Sequence, residues 1–267
     1  MTNFDDYKDR YSNIVMERED GILVMRFHSD GGELEWENSA HQEWPHAFFD
    51  VAMDAENHVV IMTGTGENFI ARARHESWGP DRNTIPVRER IFHESKVLLR
   101  NLLDIPVPVI GIVNGPARIH AELPLLSDIV LASDTALFQD SVHFQTGGVP
   151  GDGVHVLWPM WIGPNRARHF LLTGREIDAG EALDLGLVAE VLPQDQLMDR
   201  ALEIARRMTQ RHMLTLRYSR LALTNGIRRV LNADLDEGLA LEFMARAYLS
   251  NQGAYPFIRT PDPTQPE

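Results

Sequence analysis

Apolar residues recur with two different periods along this chain. Up to about residue 192, short β-branched runs alternate with stretches of helical spacing; beyond it, helical spacing dominates. Ile14 to Glu17 and Ile22 to His28 read as two strands around the turn Glu19-Asp20-Gly21. Residues 39–53 place Ala40, Trp44, Ala47, Phe48, Val51 and Ala52 near the i, i+4, i+7, i+8 spacing of an amphipathic helix. His58 to Thr63 and Val109 to Val113 are unbroken apolar runs, the pattern of strands buried on both faces. The spacing predicts a helix over 86–103, a short one over 120–126, strands at Asp128 to Ala132 and Ala136 to Phe138, and helices over 154–161 and 164–172. Further helices are predicted near 179–185, 195–210, 212–225 and 228–250, with one strand at Leu187 to Val191. Residues 1–12 read as a loose polar arm, and the proline-rich Thr260 to Glu267 as a disordered or draped tail. Alternating strands and helices argue for an α/β layer architecture. The expected division is a core over 1–195 that carries the active site and a helical region over 196–267 for oligomerisation, its tail starting near 256.

Composition narrows the function. The 267 residues are 43% hydrophobic and 24% charged, as in ordinary soluble domains, so disorder as the main state is excluded. Lys and Arg number 25 against 39 Asp and Glu, a net charge of −14. Such a chain repels phosphate, and with no basic run it is not expected to bind nucleic acid. Neutral substrates are favoured. Cysteine is absent, which removes disulfides, thiolate nucleophiles and Cys-based metal sites. With no 18-residue apolar run and no basic-then-apolar leader, no membrane partner is expected and the expected location is cytoplasmic.

The familiar catalytic signatures fail. There is no G-x-S-x-G, no phosphate-binding G-x-x-x-x-G-K-[ST] and no H-E-x-x-H; Gly64-Thr65-Gly66 lacks the third glycine of a dinucleotide fingerprint. The candidates left are histidines and carboxylates at loop–helix junctions, concentrated in residues 114–153. His120 and His143 flank strands there, and Asp152 stands inside Gly147-Gly148-Val149-Pro150-Gly151-Asp152-Gly153. Glycines of this kind allow positive φ or close backbone approach. Asp152, directly before a helical pattern, reads equally as an N-cap.

The order N-G-P, S-D-I-V-L-A-S, A-L-F-Q, G-G-V-P-G-D-G and L-L-T-G-R-E-I-D-A-G-E-A-L-D-L-G-L-V-A-E-V-L resembles the crotonase (enoyl-CoA hydratase/isomerase) superfamily over about residues 13–250. The resemblance implies a crotonase-like spiral of ββα units with a C-terminal helical trimerisation region, and trimers or paired trimers. Hydratases of that family carry glycines where this chain has Arg118-Ile119-His120, and a second catalytic glutamate where His143 stands. Their Gly-Ala-Asp loop, which helps hold the CoA thioester, corresponds to Ala71-Arg72-Ala73-Arg74-His75. Glu122 does match their first glutamate. Four motifs are instead similar to the β-diketone hydrolase branch represented by 6-oxocamphor hydrolase. They lie at Leu34 to His41, His120 to Pro124, Phe138 to Phe144 and Val149 to Val156. That likeness implies Trp36, His120, His143, Asp152 and Glu242 as site residues, a small neutral diketone as substrate, and no cofactor or metal.

Without Ser, Cys or a metal as nucleophile, such an enzyme must activate water, for which a neutral imidazole is the natural base. The expectation is that Asp152 holds one nitrogen of His143 while the other takes a proton from water, with His120 and the Trp36 N–H receiving an enolate. Glu242 is expected to hold His120 in place or to assist the return of a proton from His120 to carbon. Trp158 and Trp161 read as apolar pocket walls or plain core. A CoA-thioester hydratase or hydrolase using Glu122, and a non-catalytic oligomer, remain the alternatives.

Overall fold

The turn after the first strand needs left-handed backbone at two successive positions, and Asp20 (φ 49°) and Gly21 (φ 77°) supply it. It joins β1 (Ile14–Glu19) to β2 (Ile22–Phe27) in full antiparallel register, Ile14 opposite Phe27 and Glu19 opposite Ile22. Ahead of this hairpin, a computed structural model describing residues 2–251 places a short helix, α1 (Phe4–Tyr7). The amino-terminal segment is therefore not a loose arm. Tyr7 and Tyr11 are buried, and their hydroxyls donate to the carboxylates of Asp54 and Asp50. The proposed tail lies outside the described residues.

Chain order continues with β3 (Glu35–Trp36), α2 (Asn38–Met53), β4 (Val59–Gly64), β5 (Arg72–Ala73), α3 (Ile85–Asp104), β6 (Val109–Val113), α4 (Glu122–Leu125), β7 (Ile129–Ser133) and β8 (Leu137–Phe138). Then come α5 (Val154–Ile162), α6 (Pro164–Thr173), β9 (Ile177–Asp178), α7 (Ala179–Asp184), β10 (Glu190–Leu192), α8 (Leu197–Thr209) and α9 (Met213–Asn251). The main sheet has six strands in the order β1-β2-β4-β6-β7-β10, parallel except for the β1–β2 hairpin. Every residue of β4 and of β6 is buried, because both faces of the sheet are covered. One set of alternating side chains, with Leu23, Met25, Val60, Met62 and Val109, belongs to one buried cluster with Trp44 and Phe48 of α2 and Leu98 and Leu102 of α3. The other, with Val59, Ile61, Ile110, Ile112 and Leu131, packs on Leu197, Ala201 and Ala205 of α8.

One prediction for the helices is corrected, and one open reading is decided in favour of core. The predicted segments 212–225 and 228–250 form the single helix α9. Gly226 lies within it with open space around its Cα, so the missing side chain weakens the helix without ending it. Trp158 is fully buried, 4.2 Å between ring centroids from Phe170, and belongs to the core with Trp161 beside it.

Arg220 fastens α9 to the body of the fold. Its fully buried guanidinium pairs with Asp128 and donates to the carbonyls of Ile105 (2.6 Å) and Leu102 (3.2 Å). Asp128 also accepts from the Val109 N–H at 2.7 Å, so one carboxylate ties the helix to the start of β6.

Candidate active site

A cavity of about 770 Å³ opens between α2, α3, the loops around residues 75–82 and 142–152, and the end of α9. Trp36, Trp78, His120, His143, Asp152 and Glu242 are among the residues that line it. The sequence-derived candidates thus converge, from four separate parts of the chain.

Local geometry explains the convergence. His120 has φ 50°, an uncommon value for a non-glycine residue, and this backbone feeds straight into α4. Its Nδ1 lies 2.6 Å from Glu122 Oε1, and its ring sits 4.2 Å from that of Trp36. His143 begins a single 3₁₀ turn over Phe144–Thr146. The turn folds the chain so that Asp140, three residues earlier, meets His143 Nδ1 at 2.6 Å. Asp152 does not cap α5: Gly153 occupies the cap position, and the Asp152 carboxylate turns inward instead. Its Oδ2 lies 3.3 Å from His143 Nε2 and 3.7 Å from His120 Nδ1.

Glycine permits the last approach. A Cβ on Gly151 would fall 2.1 Å from the carbonyl oxygen of Gly238, and one on Gly238 would meet the His155 ring at 2.1 Å. The loop can therefore lie directly on α9, which delivers Glu242 Oε1 to within 3.7 Å of His143 Nε2. Arg246, one turn on, donates to the same Glu242 oxygen at 2.6 Å.

Two expected roles change. Asp152 does not orient His143 through its far nitrogen; Asp140 holds that position, and Asp152 faces the nitrogen that opens on the cavity. Glu242 stands by His143 and Arg246, not by His120, whose partner is Glu122. Sequence reasoning missed Asp140. Its signal was the spacing in Phe138-Gln139-Asp140-Ser141-Val142-His143-Phe144, which meant little until the 3₁₀ turn was known.

Electrostatics follow from this packing. Burial alone would lower the pKa of His143, but Asp140, Asp152 and Glu242 outweigh it and raise the pKa well above the ordinary imidazole value. His120 is raised as well, Glu122 and Asp152 overcoming its burial. Glu122 is shifted up by desolvation, although His120 opposes this. Asp152 is buried, which disfavours its charge, yet the His143 and His120 rings and Arg246 hold it far below the usual carboxylate range. Its second oxygen, Oδ1, is buried without a hydrogen-bond partner. Among the described residues, two side-chain groups bring donor atoms within 4.8 Å of one another, as a metal ion would need: His120, Glu122, Asp152 and His143, Asp152, Glu242.

The segment matched to the CoA-cradling loop is anchored through Arg74. Arg74 is held by Asp30 (2.9 Å), Glu35 (2.9 Å) and Glu37 (3.2 Å), and so ties β5 to the residues around β3.

The model of the family described as enoyl-CoA hydratase/isomerase matches residues 17–259, and the chain belongs to that family, within the crotonase superfamily. The short-chain-enoyl-CoA hydratase of Clostridium acetobutylicum is 29% identical over 233 residues, 86% of this chain and 87% of that protein. The crotonyl-CoA hydratase of Syntrophomonas wolfei is 27% identical over 234 residues, 87% of each chain. Among solved structures, ABDH, a β-diketone hydrolase from the cyanobacterium Anabaena sp. PCC 7120 bound to (S)-3-oxocyclohexyl acetic acid, is 44% identical. It superposes with a TM-score of 0.90 over 92% of this chain and 98% of that one.

Proposed function

We propose that this protein hydrolyses a carbon–carbon bond in a cyclic or bicyclic 1,3-diketone, without coenzyme A and without a metal. The observation that carries the reading is His143. Its Nδ1 is fixed by Asp140 at 2.6 Å while its Nε2 faces Asp152 (3.3 Å) and Glu242 (3.7 Å) at the wall of a cavity that also holds His120 and Trp36. A water within reach of Nε2 gives up a proton to the imidazole, and the resulting hydroxide adds to one carbonyl. The tetrahedral adduct collapses by breaking the bond to the carbon between the two carbonyls. That carbon departs as an enolate because the second carbonyl takes the electron pair. A protonated His120, held by Glu122, donates to the enolate oxygen and then returns a proton to carbon. The product is a keto acid, one molecule that carries both the ketone and the new carboxylate.

The likeness to ABDH supports this reading. A cyclic ketone with an acetic acid arm is the kind of keto acid that hydrolytic opening of a bicyclic 1,3-diketone leaves behind. The pinned Arg74 and the engagement of Glu122 with His120 argue against a hydratase-like CoA site. We also propose a homo-oligomer, trimer or paired trimers, since α9 leaves Leu223, Met244 and Tyr248 largely exposed. The direct test is loss of diketone absorbance with a panel of bicyclic 1,3-diketones. Turnover supports the proposal. Failure on every diketone, together with strong thermal stabilisation by CoA esters, would transfer the chain to the CoA-dependent members of its family.

A further inference from the structure

Another histidine, His41, borders the cavity, and the mechanism above does not use it. His41 projects from α2 and is buried. Its Nδ1 lies 2.8 Å from Glu94 Oε2 and its Nε2 lies 3.1 Å from Ser95 Oγ, both partners coming from adjacent positions on α3. Glu94 also accepts two contacts from Arg90, at 2.8 and 3.0 Å. Burial would raise the Glu94 pKa, but His41 and Arg90 overcome it and lower it, so the carboxylate stays ionised. Burial lowers the pKa of His41 against the pull of Glu94, with His120 and Arg90 adding to the lowering, so the ring is neutral near pH 7.

These partners decide the tautomer. An ionised carboxylate only accepts, so the single imidazole proton sits on Nδ1. Nε2 is then an acceptor, and the Ser95 hydroxyl must donate to it. The order hydroxyl, imidazole, carboxylate is the arrangement that makes a serine nucleophilic. A purely structural clamp would be sealed in protein, whereas both Ser95 and His41 line the cavity.

From this geometry we propose that Ser95, His41 and Glu94 form an acyl-transfer relay through which the cavity hydrolyses small neutral carboxylic esters. Ser95 Oγ attacks the ester carbonyl as its proton passes to His41 Nε2. The adduct expels the alcohol, which takes that proton, and leaves an acyl group on Ser95. Water, deprotonated in turn by His41, releases the acid and restores the serine. The relay uses none of His120, His143 or Asp152, so it stands apart from carbon–carbon cleavage.

The test is labelling of the full chain with diisopropyl fluorophosphate, followed by peptide mapping. In that reaction Ser95 displaces fluoride and keeps the phosphoryl group. The expected result is one adduct on Ser95. Labelling should slow on the order of 10²–10⁴-fold in His41→Gln, and more modestly in Glu94→Gln, which keeps the shape of the side chain and removes its charge. In His143→Ala the adduct should persist even though diketone cleavage is lost. The assignment is overturned if wild type takes no label at Ser95, or if Glu94→Gln and His41→Gln both label at the wild-type rate. It also falls if the adduct disappears in His143→Ala, since the reactivity would then depend on the other imidazole.

Discussion

At the residue scale, the proposed chemistry rests on two imidazoles whose pKa values are both raised. One must be free to act as base and the other protonated to act as acid, so kcat/KM should be bell-shaped against pH. Since both shifts are upward, both limbs should lie above about 6.5, the ordinary imidazole value. Asp140→Asn removes the nearest carboxylate from His143 and should move one limb down; an acid limb below 6 in wild type would contradict this account. The same shifts bear on stability. A raised native pKa means that the contribution from each histidine is complete below about 6.5 and is lost as pH rises through the native value. His143→Ala should lower kcat by on the order of 10²–10⁴ with an unchanged circular dichroism spectrum, and near-normal turnover in that variant would remove His143 from water activation. Residue-level legibility was uneven. Trp36, His120, His143 and Asp152 lie within the four motifs, whereas Glu242 lies in none of them and was implied only by the resemblance as a whole. Asp140 was not legible, because its role depends on a turn; nor was the His41 relay, since His41 meets the adjacent Glu94 and Ser95 only when α2 packs on α3.

At the scale of elements, two joints are exposed to test. The first is the contact between Gly151 and Gly238. Gly238→Ala puts a methyl group into the His155 ring and the Gly151 carbonyl, and should cost about 1–3 kcal/mol in urea denaturation. It should also reduce turnover, since the displaced loop carries Asp152. The second is Arg220. Arg220→Met leaves the Asp128 carboxylate and two backbone carbonyls without their shared donor, and a loss of roughly 3–5 kcal/mol is expected. A stability change below 1 kcal/mol would show that α9 does not depend on Arg220 for its docking. That stripe explains why the long helix was read as two. Asn225-Gly226 looks like a stop signal locally, but Leu231, Leu235 and Leu239 continue to find buried positions beyond it, and packing overrides the local weakness. The buried strands were easier, because β4 and β6 are apolar on both faces and admit few other readings.

At the scale of the whole molecule, no helix among the described residues is long and apolar enough to cross a membrane. If the exposed apolar positions of α9 meet copies of the same chain, light scattering should give three or six times 30.3 kDa. A monomeric mass at micromolar concentration would leave that face without its proposed partner. Coenzyme A should produce no thermal shift, and chelators should leave diketone turnover intact; a strong loss with chelator, restored by a divalent ion, would assign the donor groups around Asp152 to a metal.

Glu242 stands far down the chain, on a helix that follows every strand of the main sheet and both His120 and His143. A chain cut before α9 contains all of those strands but lacks Glu242, Phe243 and Arg246, so one side of the cavity is closed only by the last helix.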